Sequence, residues 1–406
     1  MSMLPFDAIT ILCGDIAVLD EPGISVPFDA IVCLFLECFS QQIMQSLSAK
    51  RYPDLVTFAF WLRRANLQRL QKQYQDSLLR LGLGLVFHVT PGNVPVNSLY
   101  SLAFGLLAGN ANVVRLPSTF FAQLNLACEI LNDLLCQAVF IPLRSRILCI
   151  QYAHDATINR RLSDLCDARI VWGGDDTIQS FRQFPIPVRA REIHFADRTS
   201  FCVVHADSLL LQDQESLARI AEGFYNDTYL MDQNACSSPH VICWTGSSQA
   251  LIADAQQYFW NALKVVVLRR YPREPLHGSE KLLQACKDAV LLDELDSVDW
   301  YDEPLVFRAQ LRQLPIRWVE LRGRYGYFYE CMADEDQLVS ILKSVTTRVQ
   351  TLTCFGYSHD FWRNILLKHR VVGIDRIVSI GSALDMDLVW DGYLLISELS
   401  RVVDIR

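Results

Sequence analysis

Apolar positions along this chain fall into short blocks with two alternating spacings. Leu83–Val89 (LGLVFHV), Ala111–Leu116 (ANVVRL), Arg146–Gln151 and Ala168–Trp172 (ARIVW) are compact runs that predict strands. Between them, Val96–Ala108, Thr119–Leu135, Ile158–Cys166 and the stretch running through Phe181 have helical spacing. Strands that are apolar along most of their length, separated by helices, imply a parallel sheet covered on both faces. Upstream, a short strand or hairpin precedes a helix near Phe28–Ser46. Pro53 then opens a helix expected over Asp54–Leu79, because proline is tolerated in the first helical turn. Beyond Pro185 a second alternation begins. Thr199–Val204 reads as a strand, Gln214–Asp227 as a helix, Val241–Trp244 as a strand and Ser248–Leu268 as a helix. Strands are expected again at 327–331, 351–355 and 375–380, while the acidic stretch 270–310 has no clear period.

One run invites a different reading. From Leu81 to Val114 there is no Asp, Glu, Lys or Arg, which by length alone suggests a membrane span. Pro91-Gly92-Asn93 breaks it, so two buried elements meeting at a turn explain it better. Composition agrees. The 406 residues are 51% hydrophobic, which excludes a disordered chain and predicts two or three domains. The net charge of −8 gives no reason to expect nucleic acid. Thirteen cysteines are an odd number in a long apolar chain without a CxxC pair. They read as buried small hydrophobes in a reducing, cytoplasmic setting rather than as a disulfide framework. The N-terminus has no basic segment of a signal peptide. Neither an HExxH motif nor a close His/Cys set is present, so no metal site is expected.

Three turns carry candidate chemistry. A complete GxGxxG opening a helix is absent. Thr90-Pro91-Gly92-Asn93 follows a strand; its glycine lets a ligand approach, and Asn93 offers an amide donor for an oxyanion, although an ordinary Pro-Gly-Asn turn reads the same. Gly173-Gly174 precedes a helix N-terminus, which suits a phosphate, but Asp175 and Asp176 equally suit a plain strand–helix junction. Cys236 lies in a polar turn of small residues (DQNACSSP), unlike Cys33, Cys128, Cys136, Cys243 and Cys354, which sit in apolar runs. A reactive thiol needs partial exposure and nearby donors; a loop cysteine without a role is the alternative. The histidines, His88 and His240 among them, read as structural.

In order, HVTPGNVP at 88–95, GNANVVRLPS at 109–118, VWGGDD at 171–176, DQNACSSP at 232–239 and DRIVSIGSALDMDLVWDGYLLISELSR at 375–401 resemble the aldehyde dehydrogenase superfamily. More closely they resemble its acyl-CoA reductase branch, the LuxC-type long-chain fatty acid reductases. The resemblance implies an α/β fold with two Rossmann-like parallel-sheet domains. Residues 1–205 would form an N-terminal segment plus a cofactor domain, 206–376 a catalytic domain, and 377–406 an arm crossing between domains or subunits. It makes Cys236 the nucleophile that takes the acyl group as a thioester. Asn93, with the Cys236 backbone N–H, forms the oxyanion hole. Thr90, Pro91, Gly92, Gly173 and Gly174 line the cofactor, and Arg115 replaces the usual cofactor-binding lysine. Ser118 stands where NAD-preferring members carry a glutamate, which points to NADPH. Glu320 matches the glutamate that holds the nicotinamide ribose.

One departure bears on the reaction. Phe195 falls where aldehyde-oxidising members carry a general-base glutamate. Without that base, thioester reduction is favoured over release of a free acid, and Glu192 is the nearest substitute for an oxidising reading. A non-catalytic acyl-transfer scaffold is the third reading, against which the retained Cys236 and Asn93 argue. Expected partners are an acyl-CoA or acyl-carrier thioester, an acyl-activating or acyl-transferring protein, and a second copy of the chain. The branch's usual oligomerisation hairpin, however, has no obvious room before Leu83. Arg189, Arg191 and Arg198 form a local basic cluster, read mainly as solvated surface and secondarily as a phosphopantetheine contact.

Overall fold

The computed structural model describes residues 8–74, 78–92, 94–300, 304–345 and 348–406. The chain divides into two units. One ends at Asp197 and resumes at Met386; the other runs Arg198–Asp385.

The first unit is built on β1 (Thr10–Gly14), β2 (Arg80–Gly82), β3 (Leu85–Val89), β4 (Ala111–Arg115), β5 (Ile147–Gln151), β6 (Ala168–Trp172) and β7 (Arg191–Phe195). Its helices are α1 (Ala30–Gln45), α2 (Pro53–Trp61), α3 (Arg64–Tyr74), α4 (Asn97–Leu107), α5 (Ala122–Leu135), α6 (Ala156–Leu165) and α7 (Asp175–Arg182). The main sheet has the order β1-β5-β4-β3-β6-β7, parallel except for β1. Every residue of β3 is buried, as expected of a strand covered on both faces. His88 in β3 places its ring nitrogens 2.7 Å from Ser101 Oγ and 3.0 Å from Asn112 Oδ1. Burial lowers its pKa to about 4, so it is a neutral structural group.

The uncharged run from Leu81 becomes the end of β2, then β3, α4 and β4. α4 is buried on nearly all sides, which explains its lack of charge. Among the described residues no helix is long and apolar enough to cross a membrane.

Two expectations need correction here. The helix over 54–79 is divided at Leu62–Arg63. Asn66 Nδ2 donates to Trp61 O at 2.7 Å and Arg63 Nε to Phe60 O at 3.1 Å, so side chains satisfy the carbonyls at the end of α2. Part of the remainder, 75–77, lies outside the described residues. Strand β7 carries no apolar run because it is an edge strand whose Arg191, Glu192 and His194 are half-exposed.

The second unit contains β8 (Thr199–His205), β9 (Pro239–Thr245), β10 (Leu295–Trp300), β11 (Phe307–Leu311), β12 (Tyr327–Met332), β13 (Val349–Phe355) and β14 (Ile374–Ser379). Its helices are α8 (Ala206–Leu210), α9 (Gln214–Thr228), α10 (Gln249–Arg270), α11 (Pro275–Leu291), α12 (Glu335–Ser344) and α13 (His359–His369). The sheet order is β10-β11-β12-β9-β8-β13-β14, and only β10 runs antiparallel to its neighbour. The acidic stretch without a period resolves into α11, β10 and β11. β10 is an edge strand without a single fully buried residue, and α11 turns most of its surface to water.

Glu330 organises the middle of this unit. It is fully buried in β12 and accepts hydrogen bonds from Trp244, Trp260, Gln256, Arg308 and Gln310, at 2.6 to 3.1 Å. One carboxylate thereby ties β9, α10 and β11 to β12.

After β14 the chain returns to the first unit through β15 (Val389–Trp390), β16 (Tyr393–Leu394), α14 (Leu395–Glu398) and β17 (Ser400–Val402). β17 pairs antiparallel with β2, and Asn110 Nδ2 donates to Leu399 O at 2.8 Å. The division between units falls before β8, not after residue 205, because β8 pairs with β9 and β13. The return begins at Met386 rather than 377, because β14 still belongs to the second sheet.

Replacing Glu330 by Ala leaves five donors facing an apolar gap, one of them a buried guanidinium. We expect a loss of about 3–5 kcal/mol in the second unit, read by calorimetry as a lowered unfolding midpoint. Asp296→Ala, which removes an exposed ion pair with Arg312, should cost less than about 1 kcal/mol. Equal midpoints for the two variants would contradict this account of Glu330.

Candidate active site

Cys236 sits on the turn that feeds β9, next to a sharp backbone reversal. Asp232 and Gln233 are consecutive left-handed residues, with φ of 52° and 58°. Neither is glycine, so the conformation must be held from outside. The Gln233 side chain does this. It is buried; its Oε1 accepts from the N–H groups of Gly326 at 2.7 Å and Tyr327 at 3.2 Å. Its Nε2 donates to the carbonyls of Tyr327 at 3.2 Å and Pro239 at 3.4 Å. Tyr271 Oη donates to the Asp232 carboxylate, and Tyr325 N donates to Asp232 O at 3.4 Å. On the other side, Ser200 Oγ donates to Cys236 O at 2.7 Å while accepting from Thr351 N at 3.1 Å. Ser238 Oγ donates to Asp227 O at 2.7 Å.

Cys236 is half-buried, whereas eight other cysteines are fully buried. Burial pushes the Cys166 thiol up to about 12, so it stays protonated near neutrality. Exposure alone does not single out Cys236: Cys286 is exposed, and so is Cys136, which caps the end of α5 instead of packing inside an apolar run. Its setting in a turn held from both sides does.

His240 heads β9 and is buried against Gly323, with Nδ1 3.1 Å from Gly323 O and 3.2 Å from Gly323 N. Burial, helped by the charges of Arg322 and Arg324, lowers its pKa to about 3, so it is a neutral fastener rather than an acid or base. Asp227 is pushed up to about 7 by burial, against the pull of backbone hydrogen bonds from Gly381 at 2.6 Å and Ala383 at 2.9 Å. Glu320 lies on the segment leading to β12. It is exposed and pairs with Arg317 at 2.8 Å and Arg348 at 3.8 Å.

The other candidates belong to the first unit. β3 and β6 are neighbours whose connections leave in opposite directions, making their carboxyl ends a topological switch point. Thr90, Pro91 and Gly92 follow β3; Gly173 and Gly174 follow β6. Arg115 ends the adjacent β4, and Ser118 follows it. Thr90 Oγ1 donates to Arg115 O at 2.7 Å and accepts from Ser98 Oγ at 2.9 Å, fastening the turn after β3 to the end of β4 and to α4. The Arg115 guanidinium lies 4.6 Å from the Tyr152 ring centre. A Cβ on Gly92 or Gly174 would meet nothing within 4 Å, so both backbones are open to a ligand. Gly174 also caps α7, whose N-terminal amides favour phosphate, although Asp175 and Asp176 share that turn. Ser118 is exposed and brings no negative charge. These residues fit a dinucleotide. Asn93 lies outside the described residues.

Phe195 stacks on Trp172 at 3.8 Å between ring centres and is buried. Glu192 is held by Arg169 and lies 3.0 Å from His194 Nε2. Burial would raise its pKa, but hydrogen bonds from His194 and Arg169 and the Arg169 charge bring it down to about 2, too weak for a general base. Of the expected Arg189–Arg191–Arg198 cluster, the first two arginines belong to the first unit and the third to the second. Arg191 is spent on the carbonyls of Ser397, Glu398 and Ser400 in the first unit, and Arg198 pairs with Asp375 in the second. Among the described residues no group of three His, Cys, Asp or Glu side chains could hold a metal ion. The sequence reading missed Gln233, Ser200 and Asp227. Only Gln233 left a trace, as a polar residue at a turn destined to be buried.

The fold is that of the aldehyde dehydrogenases. An NAD⁺ complex of indole-3-acetaldehyde dehydrogenase superposes with a TM-score of 0.65 at 10% identity, over 92% of this chain and 83% of that one. The Δ-pyrroline-5-carboxylate dehydrogenase from Mycobacterium tuberculosis gives 0.62 at 12% identity, over 93% and 79%. The chain belongs to the acyl-CoA reductase (LuxC) family, whose model matches residues 34–402. It is 22% identical over 313 residues to long-chain acyl-protein thioester reductase 2 from Photobacterium leiognathi, covering 73% of this chain and 58% of that protein. With the long-chain acyl-protein thioester reductase of Vibrio harveyi it shares 27% identity over 169 residues, 40% of this chain and 32% of the relative. The chain thus spans little more than half the length of the first of these relatives and about a third of the second.

The burial of His240 has a pH signature. The unfolded chain protonates this residue near pH 6.5, the folded chain only near 3. Its contribution to stability is full above pH 6.5 and is lost as pH falls toward 3. Between pH 7.5 and 5 the wild type should therefore lose about 2 kcal/mol more than His240→Gln, measured by denaturant titration. Parallel losses in the two proteins would contradict this.

Proposed function

We propose that the chain reduces a long-chain acyl thioester to the aldehyde through an acyl group carried on Cys236. The observation that carries this reading is the setting of Cys236 itself: a half-exposed thiol at the head of a buried strand, on a turn held by Gln233 and Ser200. Membership of the LuxC family, and the substrate class for which its relatives are named, support an acyl thioester.

Cys236 attacks as the thiolate. Its sulfur bonds to the acyl carbonyl carbon, the bond from that carbon to the carrier sulfur breaks, and the carrier leaves as its thiolate, which takes a proton from solvent. Thr90–Gly92, Arg115, Ser118, Gly173 and Gly174, with Glu320 at the ribose, would hold a nicotinamide dinucleotide, which would supply the hydride for the thioester carbonyl carbon. The oxyanion is met by the Asn93 side-chain amide and the Cys236 backbone N–H. The carbon–sulfur bond to Cys236 then breaks, freeing the aldehyde and the thiolate. The donor is CoA or an acyl carrier, delivered by an acyl-transferring partner protein, and the reaction is cytoplasmic.

Oxidation of an aldehyde to a free acid is disfavoured by two observations. Phe195 is an aromatic packed on Trp172, and Glu192 is tied to Arg169. Neither side chain can activate water against the acyl-enzyme.

Incubation with acyl-CoA or an acyl-carrier thioester should add the mass of one acyl group, absent from Cys236→Ala. An adduct that persists in that variant, or none from any donor, would overturn the assignment. The cofactor is NADPH, because Ser118 places no carboxylate against a 2′-phosphate. Ser118→Glu should lower the NADPH-to-NADH ratio of kcat/KM about tenfold; an unchanged ratio would remove Ser118 from cofactor selection.

A further inference from the structure

Parallel strands give a sheet two chemically different edges, and in the second unit arginines collect on one of them. Arg198 immediately precedes β8, Arg322 and Arg324 precede β12, Arg348 precedes β13, and Arg376 lies near the start of β14. Cys236 precedes β9, a parallel neighbour of β8 and β12, so it belongs to the same edge. The chain as a whole is acidic, with a net charge of −8, so this concentration of cations is local.

Most of these arginines are engaged. Arg198 pairs with Asp375 at 2.8 Å, and Arg348 lies 3.8 Å from Glu320. Arg376 reaches the carbonyls of Ser382, Ala383 and Asp385, and Arg322 those of Val319, Leu321 and Arg198. Arg324 differs. It is exposed, and although its carbonyl accepts from Tyr327 N at 3.1 Å, its guanidinium makes no hydrogen bond or ion pair with any described residue.

The turn that presents Arg324 is unusually well fixed for a surface loop. Gly323 is held by His240, four residues beyond Cys236. Tyr325 is left-handed at φ 57°, and its ring stacks on His277 at 4.0 Å. Its N–H donates to Asp232 O, and its carbonyl accepts from the buried Lys281 Nζ at 2.7 Å. Gly326 donates to Gln233 Oε1 at 2.7 Å; a Cβ there would stand 2.3 Å from Tyr229 Oη, so only glycine fits. Asp232, Gln233 and His240 therefore fix the arginine turn and the Cys236 turn with one set of bonds. The carboxylates of Asp232 and Glu280 act on Tyr325 in the same region, and the former already accepts from Tyr271.

We infer that Arg324, on the Arg322–Gly326 turn, binds the phosphate of a phosphopantetheine arm and so guides the acyl donor to Cys236. The inference rests on the proposed acyl-thioester chemistry and adds the group by which the donor is recognised. A phosphopantetheine arm ends in the thiol that carries the acyl group and begins at a phosphate. A guanidinium takes such a phosphate through two parallel N–H groups, and the unengaged Arg324 need break no existing pair to do so. The same arm occurs in CoA and on carrier proteins, and both sources meet the requirement.

The test uses the full chain and Arg324→Ala. Affinity for CoA, measured by calorimetry without any acyl group, should fall about tenfold. The rate of Cys236 acylation should fall similarly with acyl-CoA and with an acylated holo carrier protein. It should fall by a clearly smaller factor with the acyl thioester of N-acetylcysteamine, which lacks the phosphate. A loss confined to CoA, or to the carrier, supports the site and identifies its source. Wild-type protein that binds neither CoA nor the holo carrier, affinities for both that are equal in the two proteins, or equal losses for all thioesters would overturn the inference. CoA binding needs no adduct. Protein that binds CoA through Arg324 but never acylates therefore counts against the reductase reading alone, and acylation indifferent to Arg324 counts against the phosphate site alone.

Discussion

The second unit turns on the carboxamide of one buried residue, Gln233. Two consecutive left-handed residues can persist before β9 only if their surroundings fix them. Gln233 supplies one acceptor and one donor group to the backbone of Gly326, Tyr327 and Pro239, joining the head of β9 to the approach to β12. Its oxygen faces two N–H groups and its nitrogen two carbonyls, so the amide has one productive orientation. A glutamate would present two acceptors where one donor is required, and an asparagine would be a methylene short. The position of Cys236 thus follows from hydrogen-bond satisfaction more than from its neighbours in sequence.

Sheet polarity arranges the remaining chemistry. In the first unit the glycine turns lie at the carboxyl ends of β3 and β6, where a parallel sheet opens a crevice. In the second unit the proposed nucleophile, Cys236, lies at the amino end of β9 instead, where the arriving loops, not the sheet, must shape the surroundings. That difference explains why Ser200, Gln233, His240 and Gly323 are all needed around one turn. It also explains why neighbouring charges matter there: His240 stays neutral between two arginines because it is buried.

Much of this was legible in the sequence because buried parallel strands have a strong signature. β3, β4, β6 and β9 lie close to where apolar runs placed them. The edge strands β7 and β10 were not legible, since they carry charges that a central strand would not tolerate. The break between α2 and α3 was hidden because its caps are side chains reaching backward along the chain, a contact that periodicity does not record. For the site, local spacing identified the Cys236 turn and the two glycine turns as candidates, and the ordered motifs gave them roles. The clamps were invisible: Asp227 meets Gly381 and Ser200 meets Cys236 across long sequence separations. Nothing in a linear pattern announces such pairs.

The return of the chain to its first unit has a consequence for synthesis. Residues 198–385 are contiguous and carry all the strands of their sheet, so this unit can close as soon as it leaves the ribosome. The first unit emerges earlier yet must wait. Until Met386–Arg406 arrives, β2 lacks its partner β17, Asn110 lacks the Leu399 carbonyl and Arg191 lacks three acceptors. The later-made unit is therefore finished first, and the earlier one spends that interval with an open seam.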